Sequence, residues 1–223
     1  LETVVDEAIE ANCNLIVSFH PIIFKGLKAL TGNTYVERVV IKAIKHNIAI
    51  FSMHTALDNS VLGVNNMICD KLGLINRQIL IPQAQTIKKL ITFVPKNEAD
   101  TLRNALFEAG AGSIGNYNNC SFNTEGIGTY KGNEASNPTL GKKGEIHFEN
   151  ETQIAVTFPR HLESNILKAL FKTHSYEEVA YEVTTLENKN QQIGMGMIGE
   201  LEQEMSETDF LNTLKTNMKT ETI

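Results

Sequence analysis

Residues 15–20 read Leu-Ile-Val-Ser-Phe-His, and residues 48–54 read Ile-Ala-Ile-Phe-Ser-Met-His. Each is a short apolar run that ends in a histidine. Between them, residues 35–46 carry Val36, Val39, Val40, Ala43 and Ile44 at helical spacing, while Glu37, Arg38, Lys42 and Lys45 can point outward. Strand, helix and strand in that order, with buried-type rather than alternating strands, predict a βαβ unit and a parallel sheet, hence an α/β fold. Ligands of such sheets collect beyond the carboxyl ends of the strands. His20 follows the first strand and His54 the second, so two imidazoles should emerge side by side at one sheet edge.

Upstream, Val4, Val5, Ala8 and Ile9 recur at helical spacing, with Asn12 or Asn14 as a stop. Downstream, residues 61–74 read as a helix, and the pattern changes at Ile81-Pro82-Gln83. Residues 88–95 predict a strand and 97–109 a helix, with Asn97 as its N-cap. A Gly-rich segment over 110–132 predicts a strand with turns, and 145–158 one or two more strands. A helix over 162–171 and a strand over 180–186 complete a β-α-β-β-α-β order, the ferredoxin-like arrangement. The expected organisation is a metal-binding α/β domain over 1–85, interrupted by a ferredoxin-like α+β domain over 86–187 and resumed, incomplete, over 188–223. Residues 187–192 read as the exit linker. Residues 206–218 read as a helix, with Ser206 and Asp209 in capping-box-like positions.

Composition narrows the function. With 26 acidic against 20 basic residues, a formal charge of −6 and no Lys/Arg run, the chain lacks the means to hold nucleic acid by neutralising phosphates. Cys13, Cys69 and Cys120 lie far apart without CxxC pairing, which argues against a thiolate zinc site or a disulfide framework and fits a reducing cytoplasm. No apolar run reaches the ~18 residues of a membrane span, and no signal-peptide layout opens the chain. There is no initiator Met, and the sequence closes on KTNMKTETI, so it reads as a fragment of a longer chain.

The chemistry concentrates in HTALD. His54 and Asp58 stand four apart, and a neutral imidazole with a carboxylate suits zinc, iron or manganese. His20 makes a third ligand. A carboxylate can bridge two cations, each imidazole holds one, and a metal-bound water loses a proton near neutral pH. That points to hydrolysis. Taken singly, either histidine reads as a capping or core residue; the pair at equivalent strand ends, with Asp58 beside one, favours metal binding. Other motifs are weaker. Residues 194–199 match GxGxxG but follow a polar linker and open no helix, so they read as a Gly-rich strand. Gly141-Lys142-Lys143 lacks the rest of a phosphate loop. His174, Glu177 and Glu178 in HSYEE read as a structural turn, and Cys120 has no activating base in sequence.

Several segments together, NLIVSFHPIIFKGLK, HTALDNSVLGVNNMICDKLGL, GAGSIGNYNNCSFNTEGIGTYKG, HSYEEVAYEV and GMGMIGEL, resemble the Nif-three-like proteins, the GTP cyclohydrolase I type 2 homologues. The resemblance spans essentially the whole chain. It implies a dinuclear metal centre with two divalent ions per subunit, a ring-like homohexamer with the metals facing an internal cavity, and an inserted domain similar to PII or CutA modules. His20, His54 and Asp58 fall on metal-ligand positions of the family. Phe19 departs from the family's His-His-Pro triplet, and its closing HxxxE pattern and opening strand-containing segment are absent from this sequence. The function implied is a metal-dependent hydrolase acting on a small nucleotide-like substrate. The alternative is a non-catalytic hexameric scaffold or regulator whose inserted domain senses a ligand.

Overall fold

The computed structural model describes residues 2–222. The chain divides into two compact units, one made of residues up to Ile81 together with those from Gln191 onward, the other of the continuous stretch Pro82–Asn190.

In the first unit, helix α1 (Glu2–Glu10) leads into strand β1 (Leu15–Ser18), helix α2 (Tyr35–Lys45) and strand β2 (Ala49–Ser52). β1 and β2 pair in parallel, Leu15 opposite Ala49 and Ser18 opposite Ser52. Val5 and Ala8 of α1, Val39 and Ala43 of α2, and Ile48 form a small buried core against which Ile16 and Ile50 pack. The amino end of α2 is fixed by a variant of the capping box, Thr34-x-x-Glu37, in which the carboxylate reaches past the N-cap to Thr31 and Gly32. Glu37 N–H donates to Thr34 Oγ1 at 3.2 Å, and the Glu37 carboxylate takes bonds from the Thr31 and Gly32 N–H groups at 2.7 and 2.9 Å. Led by the Thr31 hydroxyl and amide, these donors hold the Glu37 carboxyl down at about 2.

The parallel strands were expected to be buried on both faces. They are covered on one only. Leu15, Val17 and Phe51 alternate onto the other face and are 50%, 54% and 59% exposed, because the core helices lie against Ile16 and Ile50 and no second layer follows among the described residues.

Beyond β2, the helix expected over 61–74 is shorter. A brief helix α3 (His54–Asp58) precedes a tight turn, and α4 (Val64–Leu72) starts behind Gly63, where a Cβ would stand 1.7 Å from the Leu57 carbonyl oxygen. Gly73 ends α4 with φ of 67°, a left-handed stop that glycine adopts without steric cost. Leu74 then opens β3 (Leu74–Gln83), a strand not anticipated from the sequence.

In the second unit, β4 (Ile87–Pro95), α5 (Ala99–Glu108), β5 (Phe122–Tyr130), β6 (His147–Pro159), α6 (Glu163–Thr173) and β7 (Tyr181–Leu186) follow in turn. The strands lie in the order β5-β6-β4-β7, every neighbour antiparallel. Asn97 is not the cap of α5. Residues Lys96–Glu98 form a 3-10 turn after Pro95, and the helix begins at Ala99 without a side-chain cap. Pro159 and the turn Arg160–Leu162 repeat this corner before α6. Leu90 and Val94 of β4, with Ile154, Val156 and Phe158 of β6, face Leu102 and Leu106 of α5 and Ile166 and Leu170 of α6 in one buried core.

Back in the first unit, β3 pairs with β8 (Asn190–Leu201), so the strand takes in the end of the expected linker over 187–192. The chain then forms α7 (Glu207–Met218), where Ser206 accepts the Asp209 N–H at 3.2 Å as its cap. No helix among the described residues is long and apolar enough to cross a membrane.

Two measurements check this account. Leu106 is fully buried, so Leu106→Ala should destabilise the Pro82–Asn190 unit by about 2–5 kcal/mol in urea unfolding. Glu37 should titrate with a midpoint near 2 by carboxyl NMR against an ordinary 4.5. Because its folded value is lowered, the capping box contributes fully above the unfolded pKa and is lost as pH falls through the folded one.

Candidate metal centre

Two parallel strands carry the candidate site. Their ladder runs one step past the strands proper: Met53 N–H donates to the Ser18 carbonyl at 3.0 Å, and His54 N–H to the Phe19 carbonyl at 2.8 Å. Beneath it the Ser18 and Ser52 hydroxyls share a 2.9 Å hydrogen bond. Continuing that register sets His20 beside His54, with ring centres 5.4 Å apart and planes tilted by 52°. Phe19 stands edge-on to both imidazoles, at 4.8 and 5.9 Å, and Phe24 packs 5.9 Å from His54. Phe24 was not anticipated; an aromatic in the loop after Pro21 was its only signal. His54 also carries a φ of 30°, an uncommon conformation for a residue with a Cβ.

A tetrahedral cation with metal–nitrogen bonds of about 2.0–2.1 Å sets two imidazole centres roughly 5–5.5 Å apart. The His20–His54 pair fits that spacing. Asp58 closes α3, and its carbonyl accepts the Asn65 side-chain amide at 2.8 Å. Among the described residues no group of three His, Cys, Asp or Glu side chains converges so that it could hold a metal ion. The structure therefore brings His20 to His54 and leaves Asp58 outside any three-ligand cluster.

The secondary motifs resolve as structure. His174 is buried, with Nε2 2.8 Å from the Phe93 carbonyl while Nδ1 accepts the Tyr176 N–H at 3.1 Å. Both nitrogens are thus engaged, which makes HSYEE a turn. Residues 194–199 lie within β8, and Gly199 serves close strand packing, since a Cβ there would stand 3.0 Å from Leu74 Cβ.

A mixed α/β chain with a histidine pair at the ends of two parallel strands is the class these features define. All of residues 1–223 match Duf34/NIF3 (NGG1p interacting factor 3), and the chain belongs to that family. It is 40% identical over 215 residues to the GTP cyclohydrolase 1 type 2 homolog of Halalkalibacterium halodurans, covering 96% of this chain and 58% of that protein. The Bacillus subtilis protein of the same name is 38% identical over 211 residues, covering 94% and 57%. Among solved structures, the Bacillus cereus protein related to NIF3 superposes with a TM-score of 0.76 at 39% identity, over 99% of this chain and 58% of that one. The chain thus spans between half and two thirds of the length of these relatives. The resemblance read from HTALD and its companion segments is borne out.

The backbone at His54 gives a direct test. Glycine tolerates positive φ and alanine does not, so His54→Gly should unfold at higher denaturant than His54→Ala, the two differing by about 1 kcal/mol. Equal stability would mean that His54 is not strained.

Proposed function

We propose that the chain contributes to a divalent-metal centre, with His20, His54 and Asp58 as ligands, in a metal-dependent hydrolase of the family acting on a small nucleotide-like substrate. The observation that carries the reading is the pair of imidazoles at adjacent ends of β1 and β2. Each would offer one ring nitrogen in its neutral form, and Asp58 would supply the negative charge that favours a dication. When bound, zinc, iron or manganese would supply Lewis acidity and acidify a water ligand. Phe19 and Phe24 would pack against the imidazoles and limit their rotation. Phe19 stands where the resemblance calls for another histidine, so a second cation per subunit would need a ligand other than residue 19.

In the same reading, the Pro82–Asn190 unit is a domain inserted into the metal-binding α/β domain, the whole assembles as a homohexamer, and the protein works in the cytoplasm. A non-catalytic scaffold or regulator is the second reading. It is favoured by a cavity of about 730 Å³ within the Pro82–Asn190 unit, the size of a small-molecule pocket.

Metal content and turnover separate the two. His20→Ala, His54→Ala and Asp58→Ala should each weaken zinc or manganese binding by about tenfold or more, read by mass spectrometry after dialysis, whereas His174→Ala should not. Unchanged occupancy in the first three would remove the site. Stoichiometric metal without hydrolysis across nucleotides and phosphoesters would favour the scaffold.

A further inference from the structure

The sheet of the Pro82–Asn190 unit has helices on one face only. Alternate residues of β6, namely Thr152, Ile154, Val156 and Phe158, are buried beneath them, and the opposite face opens into a cavity of about 730 Å³. That volume is the size of a small-molecule pocket. Its floor is sheet; its walls are the chain after β5 and the segment from Tyr176 to Ala180.

We propose that this cavity binds a small organic cation, a protonated amine or quaternary ammonium with an apolar body, with Glu151 as its counter-charge and Phe93, Tyr130 and Tyr176 as its aromatic cage. Four carboxylates line it, those of Glu125, Glu151, Glu177 and Glu178, against the single ammonium of Lys131. Two are committed at the rim: Glu125 pairs with Lys96 at 2.8 Å, and Glu177 accepts the Asn137 N–H at 2.6 Å. Glu151 differs. Its Oε1 accepts a hydrogen bond from the Tyr176 hydroxyl at 2.9 Å, and its Oε2 lies close to where a Gly128 Cβ would be. A side chain at residue 128 would displace the carboxylate, so the glycine leaves room for it on the floor. Gly126 pairs with Glu151 across the strands, and a Cβ there would meet nothing within 4 Å.

The rings complete the chemistry. Tyr130 and Tyr176 meet edge to face at 5.7 Å, and Phe93 joins them in the lining. Burial, followed by the Glu151 carboxylate, pushes the Tyr176 phenol far above its ordinary value, so it stays a hydrogen-bond donor to Glu151. Ring faces and carboxylates attract a cation and repel an anion. The cavity lies wholly within one unit and stands apart from the metal reading.

The test uses the ¹⁵N-labelled chain titrated with phenethylamine at neutral pH, with 2-phenylethanol and 3-phenylpropanoate as uncharged and anionic matches. Phenethylamine should give saturable amide shifts centred on residues 126–130, 151 and 176, the alcohol should bind about tenfold more weakly, and the carboxylate not at all. Glu151→Gln should weaken the amine about tenfold while keeping an acceptor for Tyr176. Gly126→Leu, which the open space tolerates, should abolish binding with the spectrum otherwise intact. Equal binding of amine and alcohol, shifts elsewhere, full binding to either variant, or no shift with phenethylamine would each overturn the proposal. So would a change in oligomeric state with Gly126→Leu and no amine shifts, which would make this face a contact between copies.

Discussion

The parallel register that sets Ser18 opposite Ser52 is the constraint on which the candidate metal centre depends. A slip of one residue would invert which side chains face the helices, turning Ile16 and Ile50 away from Val5 and Val39. It would also part His20 from His54. The register is held by the core on one face, by the shared Ser18–Ser52 hydrogen bond, and by the two amides that carry the ladder past the strand ends. The helix between the strands has its own start fixed by Thr34 and Glu37, so the crossover length is set as well. The imidazole pair thus follows from packing that lies mostly behind it.

Much of this was legible because each step has a one-dimensional signature. Helix α2 shows its period of 3.6, the strands show their apolar runs, and a strand that ends in His twice within a βαβ unit places those residues together. The insufficiently read parts are those where glycine geometry overrides pattern. Gly63 and Gly73 bracket α4 through a close approach to Leu57 and a left-handed stop, and periodicity alone ran the helix over both of them. β3 was missed for the same reason, since Leu74 continues the helical spacing across the glycine. The Pro-plus-turn corners at Pro95 and Pro159 form an internal repeat that went unread in the sequence, with Leu102 and Leu106 matched by Ile166 and Leu170. Asp58 could not be placed from spacing, because four residues set a helical face only where both have helical backbone, and His54 opens α3 with a φ of 30°.

The two units differ in how completely they bury what their sequences offer. Pro82–Asn190 closes a core of Leu, Ile, Val and Phe between one sheet face and two helices, and its single open face is lined with charge and aromatic rings. The first unit leaves Leu15, Val17 and Phe51 exposed on a two-stranded sheet, although their composition is that of a strand covered on both sides. Apolar surface of that kind is a sign of further contacts for the same face.

Strain and bare backbone mark the two candidate sites in opposite ways. At the strand edge, a residue with a Cβ is held at positive φ, and the imidazole is aimed by backbone that a glycine would adopt more readily. The ladder bond from His54 N–H to the Phe19 carbonyl offsets that strain. On the second sheet, Gly126 and Gly128 remove side chains from the floor, and the Glu151 carboxylate, bonded by the Tyr176 phenol, occupies the space at Gly128. In each case a rigid strand fixes the position of a polar group to within the tolerance of its hydrogen bonds. Loops could carry the same residues, but they would not hold them at a defined spacing before a ligand arrives.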